Sequence, residues 1–191
     1  MTKERRLGSP RARLFVALEL PEPVVAGAAA LARDTFGPVE ELRLVRSESL
    51  HVTLVFLGYH PEREIERIAA IAFDEPAGPF DLVPEAVVPV PPRRPRLYAL
   101  GLEDNGGGLH GWQDGLSRRL EEARLYEPEK RPFWPHVTLA RVKRGARAPG
   151  MEPLQLPAEL ATPFSASRVT LFSSMLKPSG AVYEPLASTG G

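Results

Sequence analysis

Four histidines occur in the chain, and two of them open the same tetrapeptide, His51-Val52-Thr53-Leu54 and His136-Val137-Thr138-Leu139. Imidazole gives and takes protons near neutrality because its ordinary pKa is about 6.5. Two imidazoles on opposite sides of a phosphorus atom supply what in-line displacement needs, a base for the attacking oxygen and an acid for the departing one. Successive side chains of a strand point to opposite faces. If each tetrapeptide is a strand, His51 and Thr53 share one face and His136 and Thr138 share another. Val52, Leu54, Val137 and Leu139 then anchor the strands from behind. A groove between two such strands would hold two imidazoles and two hydroxyls, the hydroxyls donating to non-bridging phosphate oxygens. That set suits hydrolysis of a cyclic phosphodiester. No acidic cluster accompanies the histidines, so a dinuclear metal site has little support, and no cofactor is expected.

The elements that would position these residues follow from periodicity and punctuation. A short apolar run at 14–18 reads as a buried strand ended by Pro21 and Pro23. The Ala-rich stretch 23–36 favours a helix with Val24, Ala28, Leu31 and Thr35 on one side, stopped by Gly37-Pro38. Strands follow at 42–45 and 50–57, the second closed by Gly58. A helix at 62–73 turns Ile65, Ile68 and Ile71 or Ala72 inward. Strands at 80–88 and 96–102 flank a proline-rich turn at 89–95, which proline would keep at a sheet edge or outside it. A third helix, 109–123, carries Leu109, Trp112, Leu116 and Leu120 on one face, with Arg118 and Arg119 on a solvated one. The second tetrapeptide opens a strand at 136–142. Two closing strands, 169–175 and 182–186, are joined by a turn through Pro178-Ser179-Gly180. Uneven alternation with several strand–turn–strand pairs favours an α+β fold with an antiparallel or mixed sheet. The repeated tetrapeptide suggests two related lobes facing each other.

Composition sets the outer limits. The 191 residues fit one large domain, and 43% hydrophobic with 25% charged residues is ordinary for a globular protein. Lys plus Arg and Asp plus Glu are 24 each, unlike a protein that coats long nucleic acid, but local arginines can still hold a nucleotide or an RNA end. The absence of cysteine removes disulfides, thiolate nucleophiles and Cys-bearing zinc sites, and fits a reducing cytoplasm. No signal peptide or membrane-length apolar run is visible, so a cytoplasmic protein without membrane contact is expected, with a monomer as the default.

The segments Ser49–Gly58 and Pro132–Arg141 resemble the two signature motifs of the two-histidine phosphoesterases, and within them the RNA 2',3'-cyclic phosphodiesterase branch, also called the 2'-5' RNA ligase family. Arg13-Leu14-Phe15-Val16-Ala17-Leu18 is similar to that family's first strand. Arg96-Leu97-Tyr98 is similar to a position where the family often has Trp, and Leu171–Ser174 with Gly180 and Tyr183 to its C-terminal hairpin. Residues 1–12 read as a polar tail, and the resemblance implies one bilobal, pseudo-symmetric catalytic domain at 13–188, with two antiparallel sheets around a central cleft and helices outside. It implies metal-free hydrolysis of a 2',3'-cyclic phosphate on RNA or a nucleotide to a 2'-phosphomonoester. His51 is then the proton donor and His136 the proton acceptor, with Thr53 and Thr138 on the phosphate. The residues alone do not separate the two histidines. Ligation to a 5'-hydroxyl end by the same pair, or a non-catalytic RNA-binding module, are the rival readings.

Other candidates are balanced between function and packing. The resemblance makes Arg141 a phosphate or substrate contact. Counting by twos from His136 gives Thr138, Ala140 and Val142, which leaves Arg141 on the wrong face unless a bulge or the strand's end redirects it. Tyr98 and Phe15 are candidate substrate contacts with core packing as the alternative, as for Phe56 and Phe133. Arg93, Arg94 and Arg96 are a solvated loop or a rim guiding RNA into the cleft. Lys143, Arg144 and Arg147 divide the same way. His60 reads as a loop residue and His110 as a surface or capping residue.

Overall fold

The computed structural model describes residues 10–148, 150–177 and 180–189. Most of the expected polar tail and the centre of the 178–180 turn lie outside the described residues. In chain order the elements are β1 (Arg11–Glu19), α1 (Glu22–Phe36), β2 (Leu42–Leu44), β3 (His51–Pro61), α2 (Ile65–Ala72), β4 (Phe80–Val90), β5 (Leu97–Asp104) and α3 (Gly108–Glu122). They continue with β6 (His136–Val142), β7 (Leu154–Gln155), β8 (Phe164–Ala166), β9 (Val169–Lys177) and β10 (Gly180–Ser188). Every strand pairing is antiparallel. This is the expected α+β class. The short strands β7 and β8, which pair with β4, were not anticipated.

The strands run β10-β9-β1-β3-β6-β5-β4-β7, with β2 added to β6 and β8 to β4. Two antiparallel leaves can be recognised, β10-β9-β1-β3 and β6-β5-β4. They join through one registered pair, Val52 opposite Val137. Both valines are fully buried. Each contributes the roughly 1.5–3 kcal/mol of a buried aliphatic side chain, so the seam between the leaves is apolar behind and polar in front.

The helices cover the apolar side. In α1, Pro23 occupies the first turn, where a missing N–H costs nothing. Its buried positions are Ala28, Ala32 and Phe36, a stripe of i, i+4 and i+8. The expected stripe through Val24, Leu31 and Thr35 was rotated from this, because the large Phe36 ring decides which side faces the sheet. In α3 the expected face is buried as read, through Leu109, Trp112, Leu116 and Leu120. Arg119 is not simply solvated. It pairs with Glu75 at 2.8 Å and its Nε donates to the Ile71 carbonyl, tying α3 to the end of α2.

Two further expectations are corrected. Gly58 does not close β3. Its φ of +78° fits the irregular register beside Leu57, and pairing resumes through Pro61 opposite Arg11. His60 is therefore a half-buried strand residue, with Nε2 near the Leu57 carbonyl at 3.2 Å. Tyr98 is not a substrate contact, because only 1% of it is exposed and its ring packs 4.7 Å from Phe36. Burial pushes its phenol pKa up. Truncating such an aromatic leaves a cavity, so Tyr98→Ala should cost about 3–5 kcal/mol of stability. Chemical denaturation is the check, and an unchanged midpoint would contradict core packing.

Candidate active site

The seam sets the two motifs side by side. With Val52 opposite Val137 in an antiparallel register, His51 and Thr53 flank one valine while His136 and Thr138 flank the other. All four polar side chains are half-buried, between fully buried neighbours. The alternation expected from the tetrapeptides is thus present in both strands, and both histidines stand on the same side of the seam.

Each imidazole is held in the same way. His51 Nδ1 donates to the Ser49 carbonyl and His136 Nδ1 donates to the Trp134 carbonyl, both at 2.8 Å. A carbonyl can only accept, so each Nδ1 carries a proton and each neutral ring keeps its lone pair on Nε2. The Thr53 hydroxyl then donates to His51 Nε2 at 3.1 Å. Desolvation lowers the His51 pKa to about 4, helped by the positive charge of Arg141 and the proximity of His136, and opposed by the Ser49 bond. His136 is also lowered, first by burial and then by Arg141, with the Trp134 bond opposing. In the unliganded protein both rings are neutral at pH 7.

Arg141 reaches this face through a bulge. The β5–β6 register runs Ala99 opposite Thr138 and then Tyr98 opposite Ala140, so Leu139 is the extra residue. Leu139 and Ala140 are both buried and Arg141 returns to the open side. The same device occurs in β3, where Leu54 is skipped between the pairs Ala17–Thr53 and Val16–Val55. There Leu54 and Val55 are buried and Phe56 returns to the open side. A bulge frees backbone groups, and both carbonyls find unusual donors. Leu139 O accepts from the Val45 amide at 2.8 Å, and Leu54 O from the buried Gln113 side chain at 3.2 Å. Phe56 and Arg141 therefore hold matching positions.

Two connected cavities meet at Thr53 and Phe56. One, about 290 Å³, is walled by His51, Arg13, Arg43 and Arg141. Arg43 is the register partner of Arg141. Arg13 lies over the Phe56 ring at 4.4 Å and donates to Ser174 at 3.2 Å. The other, about 950 Å³, is walled by His136, Trp134, Phe133 and His110. One end of the cleft is cationic and the other aromatic. Phe15 is 3% exposed, yet its ring lies 5.0 Å from the His51 ring and 4.9 Å from Tyr183, backing the histidine. Trp134 stacks on His136 at 4.5 Å and 16°.

Arg13, Arg43, Tyr183, Ser174 and Trp134 as cleft residues were missed. Only Trp134 had a readable signal, since counting back by two from His136 lands on it. The others depend on strand register. Arg93, Arg94, Arg96, Lys143 and Arg147, read as a possible rim, border neither cavity, and neither does Arg144. His110 does border the cleft, and its Nδ1 and backbone amide bind Asp104 at 2.7 and 2.8 Å. His110 lies within the first turn of α3, where the Asp104 carboxylate, not the histidine, accepts from the helix amides. Among the described residues no three His, Asp or Glu side chains converge as a metal-ligand set. No helix among them is long and apolar enough to cross a membrane.

A family model described as "LigT like Phosphoesterase" matches residues 100–183. The RNA 2',3'-cyclic phosphodiesterase of Aeropyrum pernix is 32% identical over 154 residues, covering 76% of this chain and 84% of the relative. The protein of that name from Thermus thermophilus is 32% identical over 193 residues, covering 91% and 87%. A solved structure from Thermus thermophilus superposes with a TM-score of 0.79 at 31% identity, covering 93% of this chain and 96% of that one. E. coli LigT complexed with 3'-AMP shares the fold, with a TM-score of 0.75 at 24% identity over 94% and 97% of the two chains.

Proposed function

Because the chain belongs to the LigT-like phosphoesterase family, we propose that it is an RNA 2',3'-cyclic phosphodiesterase. It opens a 2',3'-cyclic phosphate end to a 2'-phosphomonoester. The observation that carries this reading is the pair of imidazoles, each with Nδ1 anchored to a carbonyl two residues before it and Nε2 left for chemistry. The relatives named for that activity support the substrate class.

In the proposed reaction water attacks phosphorus and the P–O3' bond breaks. One imidazole takes the proton from water and the other gives one to the departing 3'-oxygen, so a turnover leaves the proton on the opposite ring and exchange with solvent restores the starting state. Following the family likeness, His51 is the donor and His136 the acceptor. His51 is neutral in the free protein, so it must take up a proton from solvent when the substrate binds. Burial is the main cause of the lowered His51 pKa, with Arg141 adding to it; an anionic phosphate beside both offsets the Arg141 charge and favours the imidazolium. The Thr53 hydroxyl, bonded to His51 Nε2 in the free protein, turns to a phosphate oxygen, and Thr138 does the same from the other strand. The mechanism asks for no metal. Ligation would run the same exchange with a 5'-hydroxyl in the place of water, but water at ~55 M outcompetes any RNA end unless the site orients that end at a higher effective molarity.

The test is to incubate the protein with RNA ending in a 2',3'-cyclic phosphate, with and without a chelator, and identify the product. A 2'-phosphate formed at the same rate in chelator is the expected result. Loss of activity that a divalent cation restores would refute the metal-free mechanism, a 2'-5' joined product would favour ligation, and no reaction would leave only RNA binding.

A further inference from the structure

Outside the cleft, a dense cluster of positive charge among the described residues gathers around one open groove of about 930 Å³. Its walls are the turn between β4 and β5, with Arg93, Arg94 and Arg96, and the loop after β6, with Lys143 and Arg147. Five cations face a single carboxylate, Glu41, in a chain whose formal charges balance overall. Several arginines elsewhere are paired at close range, as in Arg46–Glu48, Arg67–Glu64, Arg119–Glu75 and Arg168–Glu19. None of the five groove cations has an ion-pair or side-chain hydrogen-bond partner among the described residues.

The backbone that carries them is held. Arg96 N donates to Val90 O, Val142 N to Arg96 O, Lys143 N to Glu41 O and Ala146 N to Lys143 O, at 2.8 to 3.0 Å. Ala148 is buried in the core and pins the second loop. A built groove lined by uncompensated cations keeps a high positive potential and is suited to a polyanion.

Its position says which one. The groove begins where the cleft's own strand ends: β6 carries His136, Thr138 and Arg141 and then continues into the groove wall through Val142 and Lys143. At about 3.3 Å per residue, Lys143 lies about 17 Å along the chain from Thr138. A single nucleotide cannot span that distance. A stacked strand rising about 3.4 Å per nucleotide covers it in about five. We propose that this groove binds the phosphate backbone of the substrate RNA several nucleotides before the reacting end. The proposal rests on the RNA reading of the cleft for its ligand. It makes the protein a reader of chain length, with a mononucleotide using the cleft alone and a longer RNA using both.

The experiment compares the wild type with Arg93→Gln/Arg94→Gln/Lys143→Gln, three exposed positions that border neither cleft cavity. Two readouts are needed. One is binding of a fluorescent single-stranded RNA of about ten nucleotides with an unreactive 3'-hydroxyl, across a range of salt. The other is turnover of a nucleoside 2',3'-cyclic phosphate, which also reports folding. The variant should bind RNA at least about tenfold more weakly at low salt, and its log–log salt slope should shrink by about 2, from about 0.7 per lost phosphate contact. Its mononucleotide turnover should match the wild type. Unchanged RNA affinity and salt slope would overturn the proposal, as would tighter binding of polyglutamate than of RNA. Absence of mononucleotide turnover in the wild type would count against the cleft's proposed chemistry, while the RNA-binding arm would still decide the groove.

Discussion

His51→Ala and His136→Ala should each lower kcat/KM for a nucleoside 2',3'-cyclic phosphate by up to about 10⁴-fold, the upper range for a positioned acid or base. Both side chains are half-buried on the open side of the seam. Their removal leaves Val52 and Val137, which close the core, untouched, so circular dichroism and thermal midpoint should stay near wild type. The double variant should be little worse than either single one, because an acid without its base cannot complete the exchange. His-to-Asn variants give a sharper test. Asn keeps a polar group near the carbonyls of Ser49 and Trp134 but cannot titrate, so it should be as inactive as Ala. Turnover within tenfold of wild type in either alanine variant would remove the two-imidazole mechanism.

The second large effect is expected at Arg141. Its guanidinium lowers the pKa of both histidines in the free protein, and in the proposed complex it faces the phosphate. Arg141→Met should cost about 10²–10³ in kcat, the range for losing one preorganised donor to a developing charge. The pH dependence should move in a definite direction. In the wild type both imidazoles are depressed, so the free protein holds the one proton the reaction needs only on the acid side. The kcat/KM optimum then falls below pH 6.5. Removing the cation raises both pKa values, so the variant's optimum should shift to higher pH even as its ceiling drops. The wild-type kcat profile, which reports the bound state, should also lie at higher pH than its kcat/KM profile, because substrate charge offsets Arg141. NMR titration of the two rings checks the shift directly. An upward shift without loss of rate would make Arg141 only an electrostatic neighbour, and loss of rate with no shift would mean it does not act on the histidines.

Local pattern revealed the motif faces, the α3 stripe and the antiparallel class, because each depends on periodicity within a few residues. The side of the strand that Arg141 occupies was not readable. Leu139 looks like an ordinary strand residue, and only its register against β5 shows that it is skipped. Tyr98 was ambiguous for a related reason. An aromatic side chain on a strand fits a cleft or a core equally well until the packing of Phe36 from α1 is known. Arg13 and Arg43 needed the pairings of β1 with β3 and β2 with β6, which join residues far apart in the chain. The five groove cations were legible as charge but not as a place, since two separate loops make one wall each.

The matched bulges at Leu54 and Leu139 also bear on how a lopsided molecule sits in a nearly two-fold site. Were the strands identical beyond the tetrapeptides, a cyclic phosphate would fit equally well after a half-turn, and half of all encounters would present its 3'-oxygen to the wrong imidazole. Part of the degeneracy is broken at the first open-side position after each bulge, where one strand offers Phe56 and the other Arg141. A charged hydrogen bond available in one orientation only is worth about 1.5–3 kcal/mol. That corresponds to a preference of about ten- to a hundredfold. In the proposed complex these two side chains at equivalent places favour one orientation, and exchanging them, Phe56→Arg with Arg141→Phe, should weaken that preference while Arg13 and Arg43 keep their end of the cleft cationic.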